Sequence, residues 1–119
     1  MVRVSADAYL DLKVSQGADY VLDAMWLDSS GNNHDVSGAT ATLTIRERKG
    51  RGPTLLTKAF SGSGAFPSNG RFLLALTAAE ATQLCNAVDG DRVVYDVYGS
   101  QGGTNSHMLE GNIQLDRSV

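Results

Sequence analysis

Hydrophobic and polar residues alternate along much of this chain with the two-residue period of β-strands. In the segment YLDLKV, Leu10, Leu12 and Val14 fall on one face, while Asp11 and Lys13 fall on the other. The segment ATLTIRE repeats this alternation between residues 41 and 47. Its predicted inner face holds Ala41, Leu43 and Ile45. Both segments are therefore predicted to be half-buried strands.

Further strands are predicted at residues 20–27 (YVLDAMWL), 54–60 (TLLTKAF) and 71–77 (RFLLALT). The last of these carries apolar residues on both faces, which predicts a central and well-covered strand. The chain then ends in two strands around the turn SQGG, between residues 92 and 116. The glycines supply the positive φ angles that a tight hairpin turn needs.

One short helix is predicted near residues 78–85. Thr77 and Glu80 form a capping box in front of AAEATQL, in which each side chain satisfies the other residue's backbone amide. A helix of about two turns needs packing against a sheet to persist. Leu84 is its predicted anchor.

About seven short strands, separated by turns at roughly ten-residue spacing, predict an all-β sandwich or barrel. We favour an antiparallel sandwich. With 119 residues, of which 42% are hydrophobic and 19% charged, the chain is expected to form one domain over residues 1–119. A domain of this size can bury a core without disulfides or metals.

Charge and cysteine content narrow the function classes. The net charge of −3 is spread along the chain, which argues against a nucleic-acid-binding face. The single Cys85 excludes an internal disulfide. No apolar run is long enough to span a bilayer, and the N-terminal residues lack the pattern of a signal peptide. We expect a soluble protein made in a cytosol, without membrane contact.

Catalytic and cofactor motifs find no support in the sequence. Neither His34 nor His107 neighbours a plausible nucleophile, and Cys85 lies at the apolar end of the predicted helix, where a buried thiol is usual. In GSGAFPSNG, Pro67 stands where a phosphate-binding loop needs its third glycine. We expect no enzyme and no cofactor.

Metal binding is the alternative for the loop DSSGNNHD, which holds oxygen and nitrogen donors from residue 28 to residue 35. A calcium loop places its glycine sixth, whereas Gly31 is fourth. We therefore favour a polar turn and predict no metal site. Trp26, at the start of this loop, is expected to lie in the core or to anchor an interface.

Three stretches follow one another along the chain within residues 14 to 116: VSQGADYVLDAMWLDSSGNNHDVSGATATLTIRE, LTAAEATQL and VVYDVYGSQGGTNSHMLEGNIQLD. Together they resemble a family of small bacteriophage virion proteins that includes the N-terminal domain of the phage baseplate upper protein. The resemblance implies an immunoglobulin-like β-sandwich. It also implies a non-enzymatic virion structural protein, built as an assembly or attachment module of the tail or baseplate.

The alternative location is the phage head, where the chain would be a decoration protein on the capsid surface. A third hypothesis is a glycan-binding module. The expected partners are other virion proteins in a homo-oligomeric or symmetric multi-copy assembly, with no nucleic acid. Predicted contact residues lie at loop tips and edges. They are His34, Asp35, Arg48, Lys49, Arg51, Phe60 and Phe66.

Overall fold

A computed structural model describes residues 2–5, 8–28, 30–36, 38–48, 51–67 and 70–117. Within these ranges the strands are β1 (Val2–Val4), β2 (Ala8–Tyr9), β3 (Leu12–Ser15), β4 (Tyr20–Trp26), β5 (Thr40–Arg48), β6 (Arg51–Ser61), β7 (Arg71–Leu76), β8 (Arg92–Gln101) and β9 (Thr104–Asp116). The helices are α1 (Gly62–Ala65), a single turn, and α2 (Ala78–Ala87).

The strands form two sheets around one hydrophobic core. The smaller sheet has the order β1-β4-β7, and the larger has the order β2-β9-β8-β5-β6, with β3 also paired to β9. Side chains from both sheets meet in the core, and the alternation predicted for β5 holds, because Ala41, Leu43 and Ile45 are buried. The predicted all-β sandwich is confirmed.

The sheets are mixed rather than purely antiparallel, which corrects the predicted pairing. β1 runs parallel to β4, and β2 and β3 run parallel to β9, whereas the pairs among β5, β6, β8 and β9 are antiparallel. A tight turn makes consecutive strands antiparallel. The N-terminal strands pair with partners far along the chain, so no turn fixes their direction. Along the chain, β1 joins the small sheet, and β2 and β3 then join the large one.

The prediction that residues 71–77 form a central strand is wrong. Among the described strands, β7 is last in the order of the small sheet, and β4 is its partner. Leu73 and Ala75 on its second face are only half-buried. Lys58 of β6 donates a hydrogen bond to the Ala75 carbonyl at 2.9 Å, so a side chain rather than a further strand satisfies this one backbone group.

Phe60 and Phe66 belong to the core, which corrects their assignment as contact residues. They are only 7% and 9% exposed, and both rings pack on Phe72, with ring centroids 5.5 Å and 5.3 Å away. Helical turn α1 lies between the two residues and contacts both β6 and β7, and its own Ala65 is buried as well. The predicted loop thus buries its aromatic side chains instead of presenting them.

Helix α2 begins with the predicted capping box. The Glu80 amide donates to Thr77 Oγ1 at 3.1 Å, and the Thr77 amide donates to Glu80 Oε1 at 2.8 Å. Leu84 is fully buried, as predicted, and Cys85 lies beside it in the core. At the other end, the Arg117 guanidinium donates to the carbonyls of Cys85 and Val88, which places a cation where the helix dipole is negative.

The final hairpin turns through Gly102 and Gly103, whose φ angles of 58° and 83° match the predicted tight turn. Its register shifts further along the ladder. Val97 pairs with Leu109 and Tyr98 with His107, so Met108 is the extra residue of a β-bulge on β9. The bulge lets two consecutive side chains enter the core, since Met108 and Leu109 are both buried.

Candidate contact surface on the six-stranded sheet

His34 lies against the edge of the core at the hairpin end of the sandwich. Its ring stacks on Trp26 with centroids 4.2 Å apart, and Nε2 lies 3.0 Å from Gln101 Oε1. Trp26 is buried, which confirms its expected core position. Asp35, the next residue, is exposed and makes a polar contact of its own. His34 is thus half-buried and ties the long loop to the hairpin.

The loop between Trp26 and His34 is ordered by Asp28. The amides of Ser30 and Asn32 donate to Asp28 Oδ1 at 2.9 Å and 3.0 Å, as expected for a polar turn. Gly31 has a φ of 82°, in the left-handed region that favours glycine. Within the described parts of the chain, no three or more His, Cys, Asp or Glu side chains cluster as metal ligands.

The predicted basic contact lies at the opposite end of the sandwich. Arg48 is exposed at the end of β5, and Arg51 begins β6, although its side chain and all of Lys49 lie outside the described residues. β5 runs between the two ends, so they are about 27 Å apart at about 3.4 Å per residue. The predicted contact residues therefore do not form one surface.

A groove of about 540 Å³ lies on the outer face of the large sheet, here called the tyrosine groove. Strands β2, β5, β8 and β9 supply its lining. The lining residues are Tyr9, Thr44, Arg46, Val94, Tyr95, Asp96, Tyr98, His107, Glu110, Gly111 and Asn112. Its volume falls within the range usual for small-molecule sites.

Two tyrosines give the tyrosine groove its exposed aromatic surface. Tyr9 is 63% exposed and Tyr98 is 49% exposed. Strand alternation explains both positions. Tyr98 follows the inward residue Val97, and Tyr9 has the same parity as Asp11 and so faces outward. The alternation of YLDLKV therefore carries a signal for Tyr9 as an outward residue, whereas the predicted contact residues lie at loop tips and edges.

Polar contacts fix the side chains around the tyrosines. Asn112 Nδ2 donates to the Tyr9 hydroxyl at 2.6 Å, and the Asn112 amide donates to Asp11 Oδ1 at 3.0 Å. The hydrogen bond from the Asn112 backbone amide lowers the pKa of Asp11, and hydrogen bonding to Asp11 raises the pKa of Tyr9. Tyr9 is therefore held as a neutral phenol at the rim of the groove.

The other side of the tyrosine groove combines a ring pair with an ion pair. The rings of Tyr98 and His107 are 4.9 Å apart and tilted by 55°. Arg46 Nη1 lies 3.5 Å from Asp96 Oδ2, and Asp96 stands directly opposite Glu110 in the ladder. The groove thus presents aromatic rims and a polar floor of mixed charge.

Comparison with solved structures identifies the fold. The N-terminal domain of a protein from phage TP901-1, ORF48, superimposes with a TM-score of 0.55 over 98% of each chain, at 9% sequence identity. The chain shares the β-sandwich fold of that domain. Comparisons of the sequence with known protein families and with curated proteins find no match. No helix in the described part of the chain is long and apolar enough to cross a membrane.

Proposed function

We propose that this chain is a non-enzymatic structural protein of a bacteriophage virion, acting as an assembly or attachment module of the tail or baseplate. The observation that carries this proposal is the fold match to a phage protein domain over 98% of both chains. The whole chain, rather than one motif, follows that domain. The three stretches that resemble phage virion proteins support the same class.

The positions of the cysteine and of the two histidines support a contact role rather than catalysis. Cys85, the one thiol of the sequence, is buried in the core. His34 stacks on Trp26, and His107 contacts the ring of Tyr98. These placements give the nucleophile and both imidazoles packing roles, which fits a protein that works through its surfaces.

The proposed partners are other virion proteins and further copies of this chain. Virion parts repeat with symmetry, so one contact surface is used many times in an assembly. Strands β1 and β7 form the two edges of the small sheet among the described strands, and sheet edges need protection or a partner. We propose that these two edges and the loop ends contribute to assembly in the virion.

Immunogold electron microscopy of purified particles of the phage that encodes this chain tests the proposal. We expect gold at the tail tip. Gold spread over the head would replace the tail role by that of a decoration protein. Intact particles without gold, prepared beside particles stained for a known tail protein as a control, would overturn the virion proposal.

A further inference from the structure

The tyrosine groove is a concave site that protein contacts in a virion do not account for. It is concave and lies on a rigid sheet, so its side chains are held by strand pairing rather than by a mobile loop. Concave sites of this volume enclose small ligands, whereas standard protein interfaces spread over a wider area. The groove is therefore sized for a small ligand rather than for the broad surface of a protein partner.

The two exposed tyrosines stand on β2 and β8, with β9 between them. Tyr9 pairs with Glu110 of β9, which pairs with Asp96 of β8, and Tyr98 lies two residues beyond Asp96. Two strand spacings of about 4.8 Å and two residues at about 3.4 Å along the strand place the Cα atoms of Tyr9 and Tyr98 about 12 Å apart. An aromatic ring offers an apolar face with a polar tip. Two such faces at this distance suit an elongated ligand with alternating apolar and hydroxylated surfaces.

The floor between the tyrosines carries planar hydrogen-bonding groups. The Arg46 guanidinium has five N–H donors, so its contact with Asp96 at 3.5 Å leaves donors for a ligand. The carboxylate of Asp96 also presents two oxygen atoms in one plane, so it can bind two neighbouring hydroxyls at once. Asn112 uses Nδ2 on the Tyr9 hydroxyl and on Asp11, and it offers a ligand its Oδ1 as an acceptor.

The charge of the groove selects among hydroxylated ligands. One guanidinium, that of Arg46, stands with two carboxylates, those of Asp96 and Glu110. A polyanion such as a nucleic acid or an acidic polysaccharide would meet both carboxylates, which disfavours it. A protein hot spot is usually apolar at its centre, whereas the polar groups here occupy the floor and the tyrosines the rim.

We propose that the tyrosine groove binds a short, uncharged oligosaccharide, with Tyr9 and Tyr98 against its sugar rings and Arg46, Asp96 and Asn112 on its hydroxyls. This site does not depend on the tail location of the protein. A chain with this activity could bring a phage part into contact with a glycan on a cell surface.

A glycan array probed with the full chain tests the proposal, using neutral and acidic oligosaccharides side by side. We expect binding to neutral glycans, and calorimetry with the best of them should show at least tenfold weaker binding for Tyr98→Ala and Tyr9→Ala. Val21→Ala is the matched control, because Val21 is 60% exposed but lies on the other sheet. Its affinity should equal that of the unmodified chain.

Circular dichroism and thermal melting of each variant establish that the tyrosine changes leave the fold intact. Because both side chains are exposed, we expect melting temperatures close to that of the unmodified chain. Absence of binding to every glycan overturns the proposal. So does binding that prefers acidic glycans or survives both tyrosine changes. Capture of a virion protein through the groove without any glycan binding also overturns it, while leaving the virion function in place.

Discussion

The hydroxyl of Tyr95 on β8 donates a hydrogen bond of 2.6 Å to the carbonyl oxygen of Leu10, 85 residues earlier in the chain. Leu10 lies at the break between β2 and β3, where its amide donates to the Glu110 carbonyl at 2.9 Å. Tyr95 is buried, and this burial raises the pKa of its phenol. Tyr95 therefore stays a neutral donor and holds the N-terminal strands against the large sheet.

Tyr95→Phe should lower the free energy of unfolding by about 1–2 kcal/mol, because the Leu10 carbonyl loses its donor while the ring keeps its packing. Urea denaturation measures this change. Tyr98→Phe, on an exposed ring of the same strand, is the control and should change stability by less than about 0.5 kcal/mol. Equal stabilities for the two variants would show that the Leu10 hydrogen bond contributes little.

Gly111→Ala should be more damaging. An added methyl group at Gly111 would collide with the Leu10 carbonyl, so β2 and β3 would have to move away from β9. We expect a loss of about 2–3 kcal/mol, the usual cost of inserting a group into filled space. Hydrogen exchange at the Leu10 amide should also become faster. Gly90→Ala, which meets open space, is the control, and a Gly111→Ala chain as stable as it would contradict the prediction.

Acid should weaken the hydrogen bonds that Glu80 accepts from Lys58 and from the Thr77 amide at the start of helix α2. Burial raises the pKa of Glu80, but hydrogen bonds from Lys58 and from the Thr77 amide outweigh it and lower the pKa overall. A carboxyl whose pKa is lower in the folded state stabilises the fold above its unfolded pKa of about 4.3, and this contribution is lost as the pH falls through the folded pKa. Stability should therefore decline below about pH 4.

Glu80→Gln isolates this effect, since glutamine still satisfies a capping box. At pH 7 we expect it to be about 1 kcal/mol less stable than the unmodified chain, with the difference shrinking as the pH falls below about 4. Lys58→Met should show the same narrowing, because it removes the cation 2.8 Å from Glu80. A stability difference that stays constant from pH 7 to pH 3 would contradict the assignment.

Phe60→Ala should act through the core rather than through a contact with a partner. Removing a buried phenylalanine costs about 3–5 kcal/mol, so we expect a large fall in melting temperature. Arg48→Ala, an exposed change at the other end of the sandwich, should shift stability by less than about 0.5 kcal/mol. A Phe60→Ala chain with normal melting that fails only in virion incorporation would restore this residue to the contact surface.

Local patterns predicted the local structure well. The capping box at Thr77, the anchor Leu84 and the glycine turn of the hairpin depend on neighbours in sequence, and each is present as expected. The inward faces of β5 and β8 also follow from alternation alone. These features are fixed by interactions within a few residues, so the sequence carries them directly.

Features that depend on distant contacts were not predictable in the same way. The glycine and serine residues around Phe60 and Phe66 predict an exposed loop, but tertiary packing on Phe72 buries both rings. Tyr9 and Tyr98 share a groove only because β2 joins β9 across the chain, and no turn signals that pairing. Loop composition reported local conformation and not exposure.

Helix α2 contacts β6, and this contact affects how strands of other copies of the chain can pair with the large sheet. Lys58 of β6 lies 2.8 Å from Glu80 of the helix, and Gln83 of the helix donates to the Leu55 carbonyl of β6 at 3.4 Å. Because β6 is last in the order of the large sheet among the described strands, the helix competes at Leu55 with any further strand that would pair there. The helix therefore hinders strand-by-strand polymerisation of copies through β6.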